Sequence, residues 1–201
     1  MTEPSDERID GMRFETALLH ARRREPFAVE STTPPIYQTS AYAFDEEERH
    51  AAVAGGRAPG YVYTRLGNPT VAAFERRMAA LDGGFAAVAT ASGMAAIFNA
   101  VSNVLRAGDK IVAGACLYGG TLELFESLRD FGIETVYVPE LTPATLEQAI
   151  DERTKLVFAE TISNPKLEVL DIAAVAEVAH AHGIGLVVDN TVATPYLCRP
   201  L

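Results

Sequence analysis

From residue 81 onward, short apolar runs alternate with longer segments whose apolar positions recur at helical spacing. The short runs are Phe85 to Ala91, Lys110 to Ala115, Ile133 to Val138, Lys155 to Glu160 and Ile184 to Asp189. Each has the length of a strand and is mostly apolar, the pattern of strands covered on both faces. The segments between them predict helices beginning near Gly93, Thr121, Pro143 and Asp171. Asp171 is a good helix cap, and Ile172, Val175 and Val178 follow it at helical spacing. Strand and helix in alternation predict βα units around a mainly parallel sheet, an α/β fold. The first sixty or so residues are different, with mixed charge, the breakers Thr33-Pro34-Pro35 and Gly55-Gly56, and no sustained period. They predict an extended arm with short helical pieces. The chain is therefore read as an arm over residues 1–60 and an incomplete α/β domain over 61–201. Two-domain α/β enzymes close their sheet and add a second lobe after such a run, so the chain is expected to be the front part of something larger.

Composition narrows the function classes. About half of the 201 residues are apolar, enough to bury a core. Seventeen basic residues against 27 acidic ones give a net charge of −10, which opposes binding to nucleic acid or to anionic membranes. No run approaches the roughly 18 apolar residues of a membrane span. The polar start from Thr2 to Arg8 is no secretory signal, so the expected location is the cytoplasm. Cys116 and Cys198 lack metal or redox spacing and read as reduced structural residues. His180 and His182 stand two apart in a helix and face different ways, which argues against a metal pair.

Candidate chemistry collects at the ends of the strands, where open parallel sheets bind ligands. Asp189 ends the run Gly185 to Val188 and delivers a carboxylate there. Thr90 to Met94 lies where a strand turns into a helix, so free N–H groups near Ser92 and Gly93 favour an anion such as a single phosphate. An ordinary N-cap serine followed by a turn glycine explains that stretch equally well. There is no G-x-G-x-x-G and no Walker loop, which lowers dinucleotide and nucleoside-triphosphate readings. Tyr118 follows the second strand and is either a stacking platform or packing. Asn164 precedes Pro165 and is held extended, either aiming its amide at a ligand or marking a turn. Tyr63 and Arg65 put a hydroxyl and a guanidinium suited to phosphate into one segment, although a solvated loop capping a helix near Thr70 is the simpler reading.

Taken together, these stretches resemble the Cys/Met metabolism family of pyridoxal-phosphate (PLP) enzymes, the cystathionine γ-synthase group. The resemblance runs from about Phe14 to Leu201. Six blocks occur in the family's order and spacing: Phe14-Glu15-Thr16, Pro35 to Ser40, Tyr63-Thr64-Arg65 with Asn68-Pro69-Thr70, Ser92-Gly93-Met94, Tyr118 to Thr121, and Val188 to Thr191. It implies an aspartate-aminotransferase-like (fold type I) domain, truncated and preceded by an arm. It places Ser92, Gly93 and Met94 at the cofactor phosphate, Tyr118 on the ring, Asp189 on the pyridine nitrogen, and Asn164 and Thr191 nearby. An aspartate there keeps the nitrogen protonated, so the ring can absorb electrons when a bond at Cα breaks. Tyr63 and Arg65 would reach the cofactor of a neighbouring subunit, which implies a homo-oligomer, a homotetramer, with shared sites.

Within the family the chain is most similar to O-acetylhomoserine sulfhydrylases, which join sulfide or a thiol to an activated homoserine and release acetate. Glu123 stands where cystathionine γ-synthases tend to carry an arginine, and Gly120 where methionine γ-lyases tend to carry a reactive cysteine. Synthase or γ-lyase activity is the alternative, and a non-catalytic remnant or assembly partner of a full-length homologue is a second. The family's Schiff-base lysine belongs to a block that this sequence does not contain. The lysines are Lys110, Lys155 and Lys166: the first two open strands at the far end of the sheet, and the third lies in a loop. A C-terminal portion, supplied by the same gene product or as a separate second chain, is therefore expected to complete the site.

Overall fold

The computed structural model describes residues 33–201, of which Tyr37–Leu201 form one compact unit. Of the arm read over 1–60, residues 1–32 lie outside the described residues, as does the block Phe14-Glu15-Thr16. The elements run α1 (Glu47–Ala54), α2 (Pro69–Asp82), α3 (Gly93–Val104), β1 (Lys110–Gly114), α4 (Gly119–Leu128), β2 (Glu134–Val138), α5 (Pro143–Ala149), β3 (Thr154–Glu160), α6 (Ile172–Ala181), β4 (Gly185–Asp189) and α7 (Thr194–Leu197). The four strands form one sheet in the order β2-β1-β3-β4, and every neighbouring pair is parallel.

Alternation along each strand explains the layering. Ile111 and Ala113 of β1, with Leu156 and Phe158 of β3, turn to one face, where they pack with Ile97 and Val101 of α3 and Phe125 and Leu128 of α4. Val112 and Val157, one residue out of phase, turn to the other face and meet Leu146 of α5 and Val175 and Ala179 of α6. Both faces are covered, which is why the strand sequences are apolar without a polar alternate. Phe125 and Phe158 meet edge to face with ring centres 5.1 Å apart, joining α4 to the sheet.

Caps fix where the helices start. Thr142 and Thr145 form a reciprocal capping box at α5, with Pro143 in the first turn. The Asp171 carboxylate accepts the Ala174 N–H at 3.1 Å and starts α6 where the sequence places it. α4 begins at Gly119, two residues before the expected Thr121.

The fifth expected strand is corrected. Phe85 to Ala91 forms no regular element, and no strand pairs with it among the described residues. Its Ala89 N–H instead donates to the Glu75 carboxylate of α2 at 2.8 Å. Apolar and β-branched content favours a strand, whereas a ladder needs a neighbour. Phe85 and Val88 stand almost fully in solvent. No described helix is long and apolar enough to cross a membrane.

At the amino end of the sheet, Lys110 is buried and its Nζ lies 2.8 Å from Asp151 and donates to the Ala149 carbonyl at 2.9 Å. The hydrogen bond from Lys110 is the main cause that pulls the Asp151 carboxyl down to about 2 from an ordinary 3.8. Because folding lowers this value, the stabilisation is complete above roughly pH 4 and is lost as pH falls toward the folded value. Urea midpoints taken across this acid range should therefore fall less steeply for Asp151→Asn than for the unaltered chain. Parallel slopes would remove the pair from the account.

Candidate active site

In a parallel sheet all carboxyl ends share one edge, and here that edge carries the expected chemistry. Asp189 ends β4, Glu160 ends β3 with Asn164 four residues beyond, and Tyr118 follows β1 at the start of α4. Ser92 caps α3, which packs against the same sheet face. A cavity of about 360 Å³ gathers Ser92, Gly93, Met94, Tyr118, Asn164, Asp189 and Thr191, with Ile97, Ile162 and Val192 as its apolar lining.

Two bonds orient the Asp189 carboxylate. The Thr191 N–H donates to Oδ1 at 2.9 Å, and the Thr191 hydroxyl donates to the same oxygen. Behind them the Thr161 N–H donates to the Asp189 carbonyl at 3.0 Å, and the Thr161 hydroxyl reaches Asn190 Oδ1 at 2.7 Å. The acid is thus held at both backbone and side chain. Ser92 Oγ accepts the Ala95 N–H at 3.1 Å, so the N-cap reading of this serine holds. That bond engages one N–H of the first turn of α3, while the other amino-terminal N–H groups have no partner within the helix. No heavy atom lies within 4 Å of where a Gly93 side chain would begin, so the backbone is open to a close-approaching anion.

Tyr118 is half-exposed at the cavity mouth. A Cβ at Gly120 would sit 2.7 Å from its ring carbon Cε1 and 3.3 Å from Met94 Sδ. Glycine at 120 is what allows the ring to lie across the start of α4.

Sequence reasoning missed Glu160. It is 8% exposed, its Oε1 accepts the Tyr118 N–H at 2.6 Å, and its Oε2 accepts the Asn164 N–H at 2.9 Å. Burial pushes this carboxyl up, the two N–H bonds pull it back, and the nearby Asp189 charge adds a smaller upward push. The signal was present: Glu160 ends an apolar run just as Asp189 does, and the two are register partners on adjacent strands.

Tyr63 and Arg65 do not line this cavity. Tyr63 forms an antiparallel bridge with Ala41, and the Thr64 N–H donates to the Ser40 carbonyl at 2.8 Å. The Arg65 guanidinium lies 5.5 Å from the centre of the Tyr63 ring, and both side chains are exposed. Beneath them Asn68, 6% exposed, donates to the Tyr37 carbonyl at 2.9 Å and the Thr64 hydroxyl at 3.0 Å, while its Oδ1 accepts the Thr70 N–H at 2.8 Å. This residue both caps α2 and ties down the turn that presents Tyr63 and Arg65. None of the three lysines lines the cavity. Lys155 Nζ donates to the Glu152 carbonyl at 2.9 Å, and Lys166 Nζ lies 3.7 Å from Glu168.

A family model described as Cys/Met metabolism PLP-dependent enzyme matches residues 15–201. The homocysteine synthase of Schizosaccharomyces pombe is 44% identical over 96% of this chain, and the O-acetyl-L-homoserine sulfhydrylase of Leptospira meyeri is 42% identical over all of it. This chain covers 46% of each, so it spans about half the length of the curated relatives it matches. A crystal structure of an O-acetylhomoserine (thiol)-lyase of Campylobacter jejuni, containing N'-pyridoxyl-lysine-5'-monophosphate, superposes with a TM-score of 0.79 at 39% identity. That match covers 85% of this chain and 42% of the other.

Asn68 joins three backbone segments, so its loss should show locally. In Asn68→Ala, amide exchange across Tyr63 to Gly67 should rise about tenfold or more, the factor expected when a buried hydrogen bond worth about 1.4 kcal/mol is removed. Exchange in β1 to β4 should not change. An unaltered rate in the Tyr63 to Gly67 turn would show that other contacts hold it.

Proposed function

Because the chain belongs to the Cys/Met metabolism PLP-dependent enzyme family, we propose that it supplies the cofactor-holding part of an O-acetylhomoserine sulfhydrylase. In that γ-replacement a carbon–sulfur bond forms at Cγ of the substrate and the carbon–oxygen bond to the acetyl group breaks. Acetate leaves with the electron pair, and the sulfide or thiol gives up a proton. The observation that carries the reading is the convergence of Asp189, Tyr118 and the start of α3 on one cavity.

The residues fit the cofactor. When bound, PLP supplies a protonated ring that takes up electrons released from bonds at the amino-acid carbon. Asp189 would stabilise the proton on the ring nitrogen, and the two Thr191 bonds keep its carboxylate from swinging away. Tyr118, with its half-exposed ring, would cover one face and exclude water from it. Ser92, Gly93 and Met94 would take the phosphate at the α3 start, where free N–H groups and the helix dipole favour an anion. Asn164 would direct its amide toward a ring oxygen. Tyr63 and Arg65, stacked and outside the cavity, fit the phosphate of a second copy, so the assembly is proposed as a homo-oligomer, a homotetramer, working in the cytoplasm. The lysine this chemistry needs is proposed to come from a C-terminal portion, supplied by the same gene product or by a second chain, since Lys110, Lys155 and Lys166 are all placed elsewhere.

Two features favour the sulfhydrylase over its relatives. Glu123 is exposed on α4 and would repel the distal carboxylate of a second amino acid, which sulfide lacks. Gly120 leaves no side chain beside Tyr118.

Co-expression with a matching C-terminal portion should give PLP absorbance and homocysteine from O-acetylhomoserine and sulfide. Neither signal appearing would sink the reading, and elimination from methionine in place of sulfide transfer would move it to a γ-lyase. In the same complex Asp189→Ala should weaken PLP binding about ten- to a hundredfold, the range of a lost charged hydrogen bond. Equal affinity would place the ring nitrogen elsewhere.

A further inference from the structure

Glu160 is a buried acid that the assignments above leave without a role. It stands at the end of β3, opposite Asp189 of β4, and each of its oxygens accepts one backbone N–H, from Tyr118 at 2.6 Å and from Asn164 at 2.9 Å. These donors belong to different loops, one after β1 and the other after β3. Both flank the cavity. A carboxylate accepts at both oxygens at once, whereas an amide places an N–H where one of the two backbone N–H groups points.

We propose that Glu160 is a positioning residue of this site: its carboxylate clamps the Tyr118 and Asn164 backbones and so fixes the gap between the stacking ring and the Asn164 amide. This rests on the reading of the cavity as a PLP site. The clamp acts through Tyr118 and Asn164 and needs no contact with the cofactor. Its placement accounts for burying an acid next to another acid. A glutamine at 160 satisfies at most one of the two buried donors, whereas the carboxylate satisfies both. The charged groups around Glu160 are Asp189 on β4 and, bordering a second cavity of about 200 Å³ that it also lines, Glu140, Glu168 and Asp171. All are acids, so no cation offsets it among these neighbours, and the two N–H groups take that part.

The first test needs no substitution. In the unaltered chain, the Tyr118 and Asn164 amide protons should resonate downfield and titrate together, with one midpoint above the ordinary glutamate range. Separate midpoints, or no titration, would overturn the clamp. The second test is Glu160→Gln. Both amide signals should move upfield, strand signals in β1 and β3 should stay, and PLP affinity by absorbance titration should fall about tenfold. Equal affinity for the variant, with the unaltered chain binding PLP, would overturn the role of Glu160 alone. Failure of the unaltered chain and of its complex with the C-terminal portion to bind PLP would overturn the cofactor reading, and this proposal with it.

Discussion

Every strand of this sheet runs the same way, and the site depends on that constraint. Parallel pairing cannot be closed by tight turns, so each strand must be followed by a crossover whose first residues emerge at the same edge. Residues from 92 to 192 in the sequence thereby meet in one cavity. The buried faces hold this arrangement in register. Phe125 against Phe158 ties α4, and with it the approach of Tyr118, to the strand that ends in Glu160. A shift of β3 by one residue would turn Phe158 to the wrong face and remove Glu160 from Asp189 together.

How much of this was legible in the sequence follows from the same physics. Four of the strands and the starts of α3, α5 and α6 could be read because both faces of the sheet are covered and the caps are local. Asp189 and Tyr118 could be placed together because strand ends in a parallel sheet share an edge, whatever their separation along the chain, whereas Ser92 was legible as a local N-cap and reaches that edge through the packing of α3. The Phe85 to Ala91 segment misled because composition encodes extension but not the presence of a neighbour. Glu160 ends its apolar run as Asp189 does, but its bonds to the Tyr118 and Asn164 N–H groups come from two different loops and are not encoded in that run. The work of Asn68 was hidden for a related reason: its contacts with Tyr37 and Thr64 span 31 and 4 residues, and only the cap to Thr70 is a local signal.

The two ends of the sheet treat charge in opposite ways. At the amino end Lys110 and Asp151 form a pair 2.8 Å apart, each satisfied by the other and by neighbouring polar groups. At the carboxyl end Glu160 and Asp189 are register partners of the same sign, and each is met only by N–H and hydroxyl donors. Two carboxylates on adjacent strands repel each other and cost stability unless something positive lies between or beside them. A fold optimised only for stability would have placed an apolar residue at one of these positions. A cation brought against Asp189 would relieve the repulsion, and the proposed protonated cofactor ring would meet that condition, so the edge that is least favourable alone suits the proposed occupant.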